Sequence, residues 1–492
     1  MKILLVSPGA PTTFWSFKHA LKFIAKKAAQ PPLGLITVAS LLPVAWEKRL
    51  VDVNVQLLKD KDIRWADYVF IGGMEIQRES FTEIVKRCKN LGKPVIGGGP
   101  MCTVTPEDFT EVDHLVLGES EITLPLFLRD LKAGKPKRIY TSDEYPDITR
   151  TPVPQFKLLN INRYATMDIQ YSRGCPFNCD FCSVTALFGH KPRVKSTHQF
   201  LIELEAIYET GWRGSVFIVD DNFIGNKKIL KTELLPELEE WMKARNNPFT
   251  FSTEVSINLA DDQELAELMN KAGFRMVFIG IETPDEACLM ECGKKQNSNR
   301  NLVDSVKILQ RNGLEVSGGF IVGFDHDQHS IFDRQIGFIQ SSGIVNAMVG
   351  LLNAPVGTKL FERMNKENRI IQNMTGSNTD GSLNFEPKMD KNRLIQGYRK
   401  ILTTIYSPKS YYQRIRTFLA EYKLSPKAGN IQVFQNSIAF FRAVFRLGII
   451  GRERKEFWSL LIDVMKQFPK KLPQAVRLSI YGFHFRKISE TI

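Results

Sequence analysis

The 492-residue chain has no run approaching the roughly 20 apolar residues that cross a bilayer, which excludes an ordinary helical membrane protein. Its start, MKILLVSPGA, turns after the fifth apolar residue, too soon for the apolar core of a secretion signal, and reads as a first strand. Cysteine is scarce: seven residues, an odd number with one tight cluster, so no disulfide framework is expected. Together these absences predict a cytoplasmic protein. No repeat of fixed period and no low-complexity tract occurs, and 43% hydrophobic with 24% charged residues is a globular composition.

Acidic residues are also in short supply. The net charge is +13, and residues 401–492 alone hold 16 Lys/Arg against five Asp/Glu, a net +11. Such a surplus points to an anionic neighbour. The basic residues form no recognised nucleic-acid module, so nucleic acid is not the expected partner.

Residues 1–145 alternate short apolar strands with amphipathic stretches, as in KILLVS, LGLITVASLLP, ADYVFIGG, FTEIVKRCKNLG and KPVIGGGP. That rhythm predicts an open parallel sheet covered by helices, with ligands outside the carboxyl ends of the strands. A proline-rich connection follows, assigned to residues 146–165. A second alternation over 166–365 contains six strand-like segments: ATMDIQYS, GSVFIVDDNF, FTFSTEVSI, RMVFIGIET, EVSGGFIVGFD and NAMVGLLNAP. They predict a full or partial β/α barrel with its site where the strands end. Residues 366–492 read as a basic, mainly helical unit.

Three cysteines, Cys175, Cys179 and Cys182, crowd into YSRGCPFNCDFCSV just beyond the first of these six segments. A structural zinc ion closes four ligands. Cys102 or His190 would have to supply the fourth, and neither has paired spacing. An iron–sulfur cluster also takes four thiolates as a rule, so three leave one iron open. The loop resembles the signature of the radical S-adenosylmethionine (SAM) enzymes. That resemblance implies a [4Fe–4S] cluster on Cys175, Cys179 and Cys182, an open iron chelated by the amino and carboxylate groups of SAM, and Phe181 against the adenine. It extends SAM binding to Asp220, Asp221 and Asn222 in place of the family's Gly-Gly-Glu, to Glu254 and Glu282 at strand ends, and to Ile321 and Gly323 in GGFIVGFD, where Asp325 stands near the usual Glu. Cys288 and Cys292, one helical turn apart, are expected to be ordinary helix positions.

A glycine-rich sheet domain ahead of such a barrel resembles the cobalamin-binding radical SAM class. VIGGGPMCTVTPE and HLVLGESEITLP resemble the loops that surround the nucleotide tail of cobalamin, which implies Gly97, Gly98, Gly99, Pro100, Gly118 and Glu119 as contacts. Asp-x-His-x-x-G is absent, so no protein histidine is expected below cobalt. Met74 is weighed for the lower face, against an ordinary core methionine. PTTFWSFKHALKFIAKKAAQPPLGLITVASLLP and IYSPKSYYQRI resemble the hopanoid methylase subgroup.

The resemblance implies a C-methyltransferase that uses a 5′-deoxyadenosyl radical and methylcobalamin on a lipid-like, hopanoid or polyisoprenoid carbon, with a reducing protein such as ferredoxin or flavodoxin as electron source. The alternatives are a non-methylating cyclisation or oxidation, and a non-enzymatic iron–sulfur protein. In the tail, Ile438, Phe441, Val444 and Phe445, then Trp458, Leu461, Ile462 and Met465, recur at helical spacing. They predict amphipathic helices packed on the barrel, with a surface pair that meets anionic lipid at the inner membrane face, or a lid, as the sharper reading.

Overall fold

Why the chain divides as it does is visible in two all-parallel six-stranded sheets. The computed structural model describes residues 1–377, 379–424 and 433–492, the side chains of 433–436 excepted. Residues 425–432 of the basic segment 401–492 lie outside them. The first sheet contains β1 (Lys2–Ser7), β2 (Glu47–Asp52), β3 (Tyr68–Gly72), β4 (Val95–Gly98), β5 (His114–Val116) and β6 (Ile139–Tyr140), in the order β2-β1-β3-β4-β5-β6. Alternate residues serve opposite faces: Leu4 and Val6 join one apolar cluster and Ile3 and Leu5 the other. Both faces are thus covered, as a parallel sheet requires. The stretch VDVNVQLL supplies only the end of β2, because Asp52 accepts the backbone and side-chain amides of Asn54 and turns the chain.

The second sheet contains β7 (Thr166–Ile169), β8 (Gly214–Ile218), β9 (Phe249–Glu254), β10 (Phe274–Glu282), β11 (Glu315–Val322) and β12 (Ala347–Leu351), paired strictly in sequence order. These are the six expected segments. Parallel neighbours in sequence order, each followed by a helix, make a partial barrel.

Two stretches are more tightly bound than their composition suggests. The proline-rich connection buries Ile148 and Phe156, and the Tyr164 hydroxyl donates to Asp52 at 3.0 Å. Residues 13–24 leave the first sheet and lie on the C-terminal helix, Leu472–Ser489. There Phe14 meets Phe485, Phe17 meets Tyr481, and Phe23 meets Phe483, with ring centroids 5.1–5.7 Å apart. His484 completes the joint: its Nε2 donates to the carbonyls of Thr13 and Phe14 at 3.1 Å, and its Nδ1 accepts the His19 amide. Burial pushes its pKa down to about 4, so the ring is neutral in this role.

Of the remaining C-terminal helices, Lys391–Ile405 packs beside β12, Pro408–Glu421 lies on the barrel helix Ile331–Ser342, and Arg454–Gln467 packs on Pro408–Glu421 and Leu472–Ser489. No helix among the described residues is long and apolar enough to cross a membrane.

Candidate active site

Backbone bonds fix the cysteine loop from three sides. Asp180 donates its amide to the Cys292 carbonyl at 3.0 Å and accepts the Leu360 amide at 2.9 Å, while Cys175 donates to the Gly189 carbonyl at 3.3 Å. Gly174 has φ +90°, and a Cβ there would lie 2.9–3.1 Å from three carbonyl oxygens. Only glycine lets the loop leave the strand so closely against 188–191. Cys288 and Cys292 are buried beneath the loop, as ordinary positions in the helix Glu286–Glu291 and at its C-cap. The Cys288 thiol donates to Asp327 at 3.2 Å.

Cys175, Cys179 and Cys182 are all free thiols of intermediate exposure. Burial raises their pKa, that of Cys182 to about 12, so the thiolate forms need a cation to stabilise them. Among the described residues no three His, Cys, Asp or Glu side chains close on a single metal ion. A zinc ion would draw its ligands onto one centre, whereas a cubane spreads its thiolates over separate irons. Cys102 is buried in the first sheet's core, away from any zinc role. Beside Cys179 stands Gln296, whose Nε2 is 3.9 Å from the sulfur and whose Oε1 is buried without a partner among the described residues. A buried acceptor left open at this point fits a site that receives a further group.

Lys294 carries no signal in the sequence. Its ammonium donates to Glu282 at 2.5 Å and lies 6.0 Å from the Phe181 ring centroid. Burial opposes its charge, but Glu282 and then the Cys179 and Cys182 thiols outweigh that and hold its pKa above the ordinary value. The ion pair occupies the space above Gly280, where a Cβ would come 2.2 Å from the Glu282 carboxylate and 2.6 Å from Nζ. Glu282 itself has φ +65° at a break in the β10–β11 register, a strained conformation of the kind that collects at functional sites.

Of the three residues expected after β8, one faces the lumen. Asp220 accepts the Tyr171 amide at 2.7 Å and the Ser172 hydroxyl at 2.6 Å, and Asn222 accepts the Ser256 amide at 3.0 Å. Both are buried, and these oxygens accept from the chain's own loops. Asp221 and Glu254 remain partly open to the lumen. Burial raises Asp221 to about 6; burial and then the Asp221 charge raise Glu254 to about 8.

Ile321 packs in the same apolar patch as Phe181, and its carbonyl accepts from Gln335 at 2.8 Å. Gly323, at φ +110°, gives its amide to Asp327. Asp325 is held by Arg369 at 2.7 Å. On the other side of the lumen, Trp15 packs on Phe278 of β10 with centroids 4.8 Å apart.

At the carboxyl ends of β3, β4 and β5, three loops are stitched together. Gly73 donates to the Gly98 carbonyl, Met101 to Gly73, and Gly118 to the Thr103 hydroxyl. Gly97 and Gly98 are packed against Val112 and the Val116 carbonyl, and Gly99, at φ +90°, lies on Gly73. Pro100 opens the helix Pro100–Val104 on the exposed side. Gly118 has φ +70° with open space where a Cβ would stand.

Met74 is 60% exposed, which corrects its reading as a core residue. Glu119 is no free rim residue either: it pairs with Arg173 at 2.5 Å and Arg193 at 2.7 Å and is almost fully buried. Arg173 also holds Glu121 at 2.8 Å. A carboxylate bonded to two guanidinium groups has little left for a ligand.

A family model described as the radical SAM superfamily matches residues 169–333, and a domain of unknown function (DUF4070) matches residues 358–492. The chain is 40% identical to an uncharacterized methyltransferase of Synechocystis sp. over 100% of this chain and 92% of that protein. It is 31% identical to the hopanoid C-2 methylase of Rhodopseudomonas palustris, over 94% and 89% of the two chains. Among solved structures, the cobalamin-dependent SAM radical enzyme OxsB with aqua-cobalamin and SAM bound superposes with TM-score 0.63 at 15% identity, covering 99% of this chain and 84% of that one. The radical SAM methyltransferase TsrM of Kitasatospora setae gives 0.60 at 13%, covering 100% and 99%. These two likenesses concern the fold. Open-ended three-cysteine loop, partial barrel and full-length relatedness converge on one conclusion: the chain belongs to the radical SAM methyltransferases, the family of the hopanoid C-2 methylase.

Proposed function

We propose that the chain is a cobalamin-dependent C-methylase acting on an unactivated carbon of an apolar, lipid-like substrate. When bound, a [4Fe–4S] cluster, SAM and cobalamin supply reductive cleavage, hydrogen abstraction and methyl delivery. The chain's own residues hold, charge-match and enclose those groups.

Cys175, Cys179 and Cys182 ligate three irons. Lys294, kept charged by Glu282, offsets the thiolate charge and faces an incoming carboxylate. Burial raises both Asp221 and Glu254, Glu254 further, so the ammonium or sulfonium of SAM favours their charged forms, that of Glu254 above all. Phe181 and Ile321 border the adenine, with Gly323 beside them. Met74, Gly99, Pro100 and Gly118 make the rim for cobalamin, Gly97 and Gly98 let β4 reach it, and Glu119 acts through Arg173 as a positioning residue. Trp15 and Phe278 offer an apolar wall, which supports a lipid-like acceptor, as does the relative named a hopanoid methylase. A ferredoxin or flavodoxin is the electron donor this chemistry calls for.

One observation carries the reading. Arg173, two residues before Cys175, bonds both Glu119 and Glu121 after β5, so the thiol loop and the glycine rim share one border. The test is anaerobic reconstitution with cobalamin and methyl-labelled SAM, followed by mass spectrometry. The expected products are 5′-deoxyadenosine, S-adenosylhomocysteine and, with a hopanoid acceptor, labelled lipid. 5′-Deoxyadenosine without label transfer to any lipid would replace methylation with another radical reaction.

A further inference from the structure

The helix Val433–Ala443 and the π-turn that continues it, Val444–Ile450, are built inside out. Their inward side carries Ala439, Ala443 and Leu447, all buried. Their outward side carries Phe441, Phe445, Ile449 and Ile450, which are 57–70% exposed. Ile438 extends the same stripe toward the start of the helix, and Trp458 stands beside its end, donating its indole N–H to the Gly448 carbonyl at 2.9 Å. A surface helix normally turns its large apolar groups to the core and its polar groups to water. Here the bulky ones face out, and a contiguous exposed patch of this kind marks an interaction surface.

The stripe edges a cleft of about 630 Å³ between these helices and residues 22–23. Its carboxylates are already used, Glu453 by Arg486 and Glu490 by Lys487. Among the described residues Lys22, Arg442, Arg446 and Arg452 have no carboxylate partner. Arg442 caps the carbonyls of Lys22 and Phe23 at 3.1 Å, and Arg446 lies 4.9 Å from the Phe483 ring centroid. Apolar groups that want to leave water, ringed by cations without counter-charges, match the boundary of an anionic bilayer, where acyl chains lie just beneath phosphates. A nucleic-acid groove would not set four large aliphatic and aromatic groups outward on one helical face, and the charge ring leaves a protein core as a poor match.

We propose that this face docks the protein on an anionic lipid bilayer, Phe441, Phe445, Ile449 and Ile450 entering the acyl boundary while Lys22, Arg446 and Arg452 meet headgroup phosphates. The inference stands apart from the identity of the methylated molecule, because it concerns a surface on the helical unit and not the barrel lumen. Trp15 and Phe17, in the segment that lies on this unit, connect it physically to β10, so docking would bring the barrel lumen close to the membrane plane.

The experiment is sedimentation of the full chain with phosphatidylcholine vesicles, with and without phosphatidylglycerol, alongside its 5′-deoxyadenosine yield in vesicle-free buffer. Binding is expected only with phosphatidylglycerol and should weaken with salt. Phe441→Ser with Phe445→Ser should lower partitioning at least about tenfold, and Arg446→Gln with Arg452→Gln about fivefold per charge, both with the vesicle-free 5′-deoxyadenosine yield unchanged. The proposal is overturned if the variants bind as well as the parent chain, if glycerol phosphate alone competes fully, if a DNA oligonucleotide displaces the vesicles, or if the substitutions instead dissolve a homodimer. Loss of 5′-deoxyadenosine in the parent chain, with vesicle binding intact, would count against the enzymatic reading and leave this one standing.

Discussion

At the carboxyl end of the barrel, Glu282 and Lys294 are charged groups folded almost out of water; on the outer helices, Phe441 and Phe445 are large apolar groups folded into it. Each region reverses the ordinary partition, in which charge stays outside and hydrocarbon inside. Each reversal costs stability in the isolated chain. What offsets the cost differs. In the barrel the compensation is internal, because Lys294 and Glu282 neutralise one another; on the helices it is external, and the bilayer boundary is the proposed source. Breaking the first should therefore damage the folded chain, and breaking the second should damage only an encounter.

The largest effect expected is Lys294→Met. It strands the Glu282 carboxylate inside the protein, and losing one partner of a buried pair costs about 3–5 kcal/mol. Adding Glu282→Gln should recover most of the stability, read as the melting midpoint, while SAM cleavage stays lost. Recovery of both would remove Lys294 from the site.

A smaller loss is expected from acid. His484 is neutral in the folded chain with a pKa near 4, against an ordinary 6.5. Between those values the unfolded chain takes up a proton that the folded chain refuses, so stability falls as pH drops through that window, by up to about 3 kcal/mol. Melting curves from pH 7 to pH 4 should show it, and His484→Asn should flatten the dependence if the ring alone is responsible.

Asp221 and Glu254 run the other way. Burial holds them protonated up to about 6 and 8, and a cationic ligand prefers them ionised. SAM affinity, followed by calorimetry on the reconstituted protein, should rise with pH across that range by at most about tenfold per unit, with protons released on binding. Smallest of all is Phe441→Ser: its side chain already meets water, so stability should move by no more than about 0.5 kcal/mol. A large destabilisation there would mean the face is part of the core after all, and the contrast between the two regions would collapse.

Much of the site is legible in the amino-acid order alone. Three cysteines in eight positions stand out by spacing as a metal-type loop, which the resemblance to the radical SAM signature turns into an expected iron–sulfur site, and the six apolar segments of the second sheet are strands by their own pattern. Acidic residues at strand ends are harder to read. Asp220, Asn222 and Glu119 have the right chemistry at the right positions, yet their acceptors are taken up by Tyr171 and Ser172, by Ser256, and by Arg173 with Arg193. Lys294 shows the converse: twelve residues past Glu282, in the run GKKQ, nothing marks it off from its neighbour Lys295 until the chain folds.

The sequence by itself determined the thiol loop, the two parallel sheets and the helical tail, because spacing and periodicity act over a few residues and survive in any fold that keeps the local geometry. Only the tertiary structure decided which carboxylates remained available, which lysine became a buried counter-ion, and which side of the Val433–Ala443 helix faced out. Those outcomes depend on partners dozens to hundreds of positions away, as with His484 on residues 13 and 14, and a hydrogen-bond acceptor carries no local sign that distant chain will claim it.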